Sequence, residues 1–400
     1  MNPLASKKFT VRLLMVLTAI TSILLITGCG NSSSLAPVNN QGYSNSNLSG
    51  TYVFSSSGVD STNGAFLAVV GSVTADGKGN ITGGWIDVNG FSLTSPISTA
   101  ISSCSGCYSV SSDGRGQATI QYSGGPSTFD FVLNSSAGGL VTEFDGNGSG
   151  SGTLDLQASG SLTGAYSFGL AGASISGQNE VPLAAVGTFD VSASKPQGEI
   201  TNGLVDINSD GIAPGGMAGL TLAATVTAGS PGTATLVALN GGSTVATYNF
   251  DVYMVDDTHL KFIETDTAQI LAGDAFTQQT SIPNGIYAYA MDGLDNSSAP
   301  LAIAGFITAG SGSVIGTGLE DFNDAGTTGQ VTGFGGSYTS FSGGRTELIL
   351  NGIYNGVSGL NSDVTFAAYP SSGGIELLEV DSAGITGGIA LPQGSGTSLG

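Results

Sequence analysis

A chain of 400 residues with only 8 Lys and Arg against 29 Asp and Glu, a formal net charge of −21, repels phosphate backbones and excludes a nucleic-acid partner. Hydrophobic residues make up 40% and fall in alternating runs, which excludes a disordered chain. The 65 glycines have no Gly-X-Y period and only 12 prolines beside them, which excludes collagen and leaves them as turns, bulges and strand kinks.

The first element is a leader. Lys7, Lys8 and Arg12 precede an apolar stretch from Leu13 to Ile26, and the small residues Thr27 and Gly28 then precede Cys29. That is the order of a secretory signal, and the stretch is short of the roughly 18–20 residues a spanning helix needs. The run Ile26-Thr27-Gly28-Cys29 resembles the lipobox of bacterial lipoproteins. The resemblance implies cleavage before Cys29, a diacylglycerol on its thiol, and a membrane held through two or three palmitate-type acyl chains. Gly30 stands where an Asp tends to retain such proteins at the inner membrane, so it points outward, to the outer membrane of a host that has one. With Lys7, Lys8 and Arg12 lost, five basic residues remain against 29 acidic ones, a mature charge near −24. Residues 29–46, the lipidated Cys and a polar stretch without apolar period, are expected to form a flexible tether.

The rest of the chain repeats itself. Glu143, Asp145, Gly152 and Gln157 recur as Glu264, Asp266, Gly273 and Gln278, and again as Glu379, Asp381, Gly388 and Gln393. The three copies also open alike, at Thr51-Tyr52-Val53-Phe54, Ala165-Tyr166-Ser167-Phe168 and Ile286-Tyr287-Ala288-Tyr289. A middle stretch reaches Gly71, Gly187 or Gly305 and closes on Asp87-x-Asn89, Asp206-x-Asn208 or Asp321-x-Asn323. Units of about 115 residues are whole domains, too long for solenoid repeats. The expected organisation is a signal peptide over 1–28, the tether over 29–46, and β repeats over 47–160, 161–280 and 281–400.

Within a unit the apolar period is two, with turn signals such as Asp76-Gly77, Asn89-Gly90, Asp113-Gly114 and Asp145-Gly146 between short runs. No helical period persists in the mature chain. The fold class is therefore all-β: three tandem antiparallel β domains. Eight or nine short strands per unit can remove their edges by closing, which favours a small up-and-down barrel, similar in look to calycin-type barrels although no calycin motif is matched. A β-sandwich is the rival, weakened by the absence of a paired-cysteine core with a central Trp.

Candidate chemistry is sparse. Cys104 and Cys107 form a CxxC between β segments, which favours a local disulfide in an oxidising compartment over a redox or zinc site. Asp206, Asn208 and Asp210 with Gly211 fit the opening of a calcium loop, but Met217 stands where a bidentate Glu is required. Asp and Asn at a strand end more often cap a turn. The Glu/Asp pairs suggest paired carboxylates, yet an active site recurring three times in one chain is less natural than a shared structural need, such as the turn before the last strand. His259, the only His, reads as an exposed strand residue beside Asp257 and Lys261. A serine triad lacks its nucleophile elbow. No cofactor is implied. The expected protein is a non-enzymatic lipoprotein of the cell envelope, surface or periplasmic, with a structural or binding role. Two alternatives are a carrier of small ligands or glycans in the barrel mouths and a polysaccharide hydrolase; the partner beyond the membrane is not identified by sequence.

Overall fold

The computed structural model describes residues 42–177, 179–191, 200–209, 217–227, 231–312, 314–354, 356, 361–381 and 384–394. Cys29 and Asp210 lie outside them. The described residues form one compact unit of antiparallel strands with two short 3-10 turns, and no helix among them is long and apolar enough to cross a membrane. Three sheets follow one another, spanning residues 49–156, 164–277 and 285–392. The second and third are closed eight-stranded barrels in which each strand pairs with the next and the last returns to the first. Burial alternates as the sequence pattern requires: in the strand Gly232–Asn240, Ala234, Leu236 and Ala238 point into the barrel while Thr233 and Thr235 point away.

The first sheet has nine strands and departs from the expected closed barrel in one place. Its fourth strand, Ile97–Ala100, and fifth, Tyr108–Val110, do not pair. The segment between them bridges the gap instead. Cys104 pairs with Ile81 on one side, while the Ser102 amide donates to Gln121 O at 2.7 Å and the Thr119 amide to Cys107 O at 2.8 Å on the other. Cys104 and Cys107 are joined within this segment as a disulfide. The extra loop thus stands where the first sheet fails to close by strand pairing.

The repeated residues account for closure. A Cβ on Gly152, Gly273 or Gly388 would sit 1.9–2.1 Å from a carbonyl oxygen of that unit's first strand, so only glycine lets the last strand cross so closely. The amides of Gln157, Gln278 and Gln393 then donate to Thr51 O, Ala165 O and Ile286 O at 2.7–2.8 Å. Gly71, Gly187 and Gly305 leave room for the rings of Phe54, Phe168 and Tyr289. Each interior is filled by its own apolar cluster. Phe129 and Phe131 plug the first, and the void left there is about 40 Å³. That leaves little space for a ligand in the mouth of the first sheet. Trp85 lies outside that core, packed against the second unit with Val53, Val70, Tyr253 and Ile270.

Candidate functional site

Asp87-x-Asn89 and Asp206-x-Asn208 lie on outward faces of strands and form joints between units instead of capping turns; Asp210, the third residue of the calcium-loop reading, lies outside the described residues. At the first joint Asn89 Nδ2 donates to Glu264 O, Asp266 O and Gln269 O at 2.8–3.2 Å, and Tyr253 donates its hydroxyl to Asp87. At the second, Asn208 Nδ2 donates to Glu379 O and Gly384 O at 2.8 and 3.2 Å, and Tyr369 donates to Asp206. Arg345 adds a bidentate pair to Asp206 at 2.9 and 3.0 Å, so a guanidinium already satisfies the carboxylate a metal would need. Among the described residues no group of three or more candidate ligands is assembled for a metal ion. In the third unit Asn323 does cap a turn, accepting from the Gly326 amide.

The Glu/Asp pairs separate by role. Asp145, Asp266 and Asp381 accept the backbone amides of Thr128, Asn249 and Thr365, which ties the turn before the last strand to a neighbouring strand, the shared structural need expected of them. Glu264 and Glu379 point inward beside Phe262 and Leu377. Both Glu264 carboxylate oxygens are buried without a partner, and burial, aided by Asp266, pushes that carboxyl up to about 9. Glu379 accepts the Thr386 hydroxyl at 2.7 Å and is pushed up to about 8, chiefly by burial. Buried inside their barrels, Glu264 and Glu379 are out of a substrate's reach and drop from the candidate residues of the hydrolase reading.

A cleft of about 760 Å³ lies where all three units meet. Its walls are mixed: Ala171, Pro182, Ile385 and Ile389 are apolar, while His259, Lys261, Asp274, Asp155, Thr153 and Glu376 bring polar groups. His259 and Lys261 sit two apart on the strand His259–Glu264 and so share its outward face, opposite Phe276 and Asp274 in register. The His259 ring stacks on Phe276 with centroids 4.2 Å apart, and its Nε2 lies 2.6 Å from Asp274 Oδ1. Its side chain is 13% exposed, so the expected exposed strand residue is a packed and bonded one.

Lys261 reaches from the second unit into the first. Its Nζ donates to Thr153 Oγ1 at 2.7 Å and to Asp274 Oδ1 at 2.8 Å, and lies 3.2 Å from Asp155 Oδ2. Burial works against its charge, but Asp274 and then Asp155 outweigh burial and hold the ammonium charged. Asp274 is moved the opposite way: burial favours its neutral form, yet Lys261 and His259 win and hold it well below the usual carboxylate range, with a third of its side chain open to the cleft. A lysine kept charged and spent on two carboxylates is neither nucleophile nor base. The cluster fixes charge in place.

Glu376 enters from the third unit. It is 8% exposed and lies against Gly169, where a Cβ would fall 2.3 Å from its Oε2. Burial, with Asp274 nearby, pushes its carboxyl up to about 8. Sequence reasoning passed over Glu376, Asp274 and Asp155. The signal was the position three residues before the repeated Glu, which is Leu140, Lys261 and Glu376 in the three copies and so varies where its neighbours do not.

No family model matches the chain, and no curated protein matches it. Solved structures give weak likenesses. Kievitone hydratase from Nectria haematococca is 13% identical over 90% of this chain and 93% of that one, with a TM-score of 0.20. Transferrin binding protein B from serogroup B Neisseria meningitidis is 8% identical over 85% and 74%, also at 0.20, and the protein of that name from Haemophilus parasuis is 9% identical over 88% and 77%, at 0.18. Likenesses at these TM-scores carry no inference about what this chain does.

Proposed function

We propose that this protein is a lipid-anchored binding protein of the bacterial cell envelope, without catalysis of its own, which holds a small ligand in the cleft between its three units. One observation carries the reading: a cleft of about 760 Å³ is lined by residues of all three units and combines apolar walls with fixed polar groups, the make-up of a ligand pocket and within the usual roughly 300–1,000 Å³. The filled interior of the first unit favours this cleft over a barrel mouth. The anchor rests on Cys29 and the leader before it.

Two measurements test it. Metabolic labelling with a radioactive fatty acid should mark the wild type and leave Cys29→Ala unlabelled; equal labelling of both refutes lipidation there. For the cleft, Ala171 lines it with an exposed side chain, so Ala171→Trp fills it without touching a barrel interior. In a thermal-shift screen against neutral sugars, amines, alcohols and short acids, some compounds should raise the wild-type midpoint by a few degrees and fail on Ala171→Trp. Unchanged shifts in the variant place binding elsewhere.

A further inference from the structure

Charge in the cleft does not balance. Its described carboxyl side chains are Asp155, Asp274, Asp292 and Glu376, and its basic side chains are Lys261 and His259. Lys261 is consumed by Asp155 and Asp274, and His259 by Asp274. Glu376 and Asp292 are left over. Among the described residues no donor reaches the Glu376 carboxylate within hydrogen-bond distance, although the side chain is more than nine-tenths buried and lines the cleft. Its oxygens, unlike those of Glu264, are not among the buried unpartnered atoms, so a group that enters the cleft can reach them. Gly169, without a Cβ, leaves the room that this carboxyl occupies. Around it stand apolar side chains on outward strand faces, Ala171, Pro182, Ile385 and Ile389, that can take an apolar body but offer no hydrogen bond.

We infer that the cleft takes a small organic ammonium, its nitrogen donating to the Glu376 carboxylate and its hydrocarbon part lying along the apolar wall. This rests on the cleft being the binding site and adds the class of ligand. An ammonium supplies the missing donors and the missing positive charge together. An alcohol supplies donors without charge, and a carboxylate would add a negative group to a cleft that already holds Asp155, Asp274 and Asp292. The charged group that acts on Glu376 is Asp274 of the second unit, and Lys261, His259, Asp155 and Asp292 line the same cleft. With burial and Asp274 holding Glu376 neutral in the empty cleft, the ammonium binds as Glu376 ionises and releases its proton to solvent.

The test is titration calorimetry on the full chain in detergent with hexylamine, hexanol and hexanoate, probes that share a body and differ in head group. Hexylamine should bind at least ten times more tightly than either other probe. Below pH 8 its binding should release close to one proton, measured by repeating the titration in buffers of different ionisation enthalpy, and the release should fade above pH 8. Glu376→Gln keeps the shape, and should weaken hexylamine at least tenfold and abolish the proton release, with an unfolding midpoint no lower than wild type. Hexanol or hexanoate binding as tightly as hexylamine, or Glu376→Gln leaving hexylamine unaffected, overturns the ammonium. If one of those probes binds and Ala171→Trp abolishes that binding, the cleft remains the site and only the ligand class falls. If none of the three binds, the ammonium is overturned and the wider screen judges the cleft.

Discussion

The two joints between units use one pair of anchor residues and complete it in different ways. At each, an Asp accepts a tyrosine hydroxyl from the next unit and an Asn two residues on donates to that unit's carbonyls. At each, a glutamine closes the contact, Gln157 Nε2 on Met254 O at 2.7 Å and Gln278 Nε2 on Gly343 O at 2.8 Å. The first joint then spreads an apolar sheet around the anchor, with Val53, Val70, Ile263, Ile270, Phe66 and Trp85. It leaves Asp87 Oδ1 unpartnered, and burial pushes that carboxyl up to about 7, with Asp251 adding to the shift. The second joint has a smaller apolar patch around Val186, Tyr369 and Leu378 and meets Asp206 with Arg345 instead. A buried carboxyl can be kept neutral or be paired. This molecule does both at equivalent positions, and the two solutions should answer differently to mutation and to pH.

The largest effect is expected where the pair is broken. Asp206 is fully buried, and Arg345→Ala leaves it without its cation, a change that costs about 3–5 kcal/mol in buried pairs. Urea unfolding at pH 7 should show the loss, and Arg345→Ala with Asp206→Asn together should recover part of it. A cost under about 1 kcal/mol would mean that Tyr369 and the Gly219 amide suffice for Asp206, and the contrast between the joints would collapse.

The next effect belongs to the unpaired joint. Asp87 has a folded pKa near 7 against an ordinary value of 3.8, so the folded state holds its proton more tightly. The stability it contributes is complete below about pH 4 and is lost as pH rises toward 7, by at most roughly 4 kcal/mol. Glu264 and Glu379 are raised in the same sense and extend the decline to higher pH. Trp85, the only tryptophan, packs in this joint and reports on it by fluorescence. Urea midpoints read from Trp85 should be higher at pH 5 than at pH 8, and Asp87→Asn should flatten the part of the slope below pH 7. An unchanged slope in Asp87→Asn would remove Asp87 as its source.

How much of this was legible beforehand depended on whether a residue's partner was local. The all-β class, the antiparallel pairing and the near absence of helix followed from period-two burial, since alternation is set within one strand. Gly152, Gly273 and Gly388 were visible as a repeat, and their reason, a carbonyl about 2 Å from a would-be Cβ, is also internal to each unit. The joints were not legible. Asp87 and Asn89 find partners more than 160 residues away, and an Asp-x-Asn before Gly has a ready local explanation as a turn. His259 misled for the same reason: its charged neighbours suggested solvent, while Phe276 and Asp274 on the adjacent strand cover it. The break in the first sheet was hidden too, because a loop that substitutes for a strand pair has no periodicity of its own.

The smallest expected effect is the most direct probe of the comparison, because it converts one joint into the other. Arg345 stands just before Thr346, which pairs with Ala368; the matching residue of the second unit is Pro231, just before Gly232, which pairs with Val252. Tyr369 and Tyr253 each follow those partners by one residue and each donate to the anchor Asp. A guanidinium at position 231 therefore starts from the place Arg345 occupies relative to Asp206. Pro231→Arg should pair Asp87, keep it ionised in the folded state, and stabilise the first joint at pH 8 by about 1 kcal/mol, the net value of a charge-assisted bond less the ordering of the side chain. It should also remove the decline between pH 4 and pH 7, because an Asp87 ionised in both states no longer links folding to protons. The gain should vanish in Pro231→Arg combined with Asp87→Asn. A gain that persists there would come from the replaced proline, and the two joints would not be interchangeable versions of one anchor.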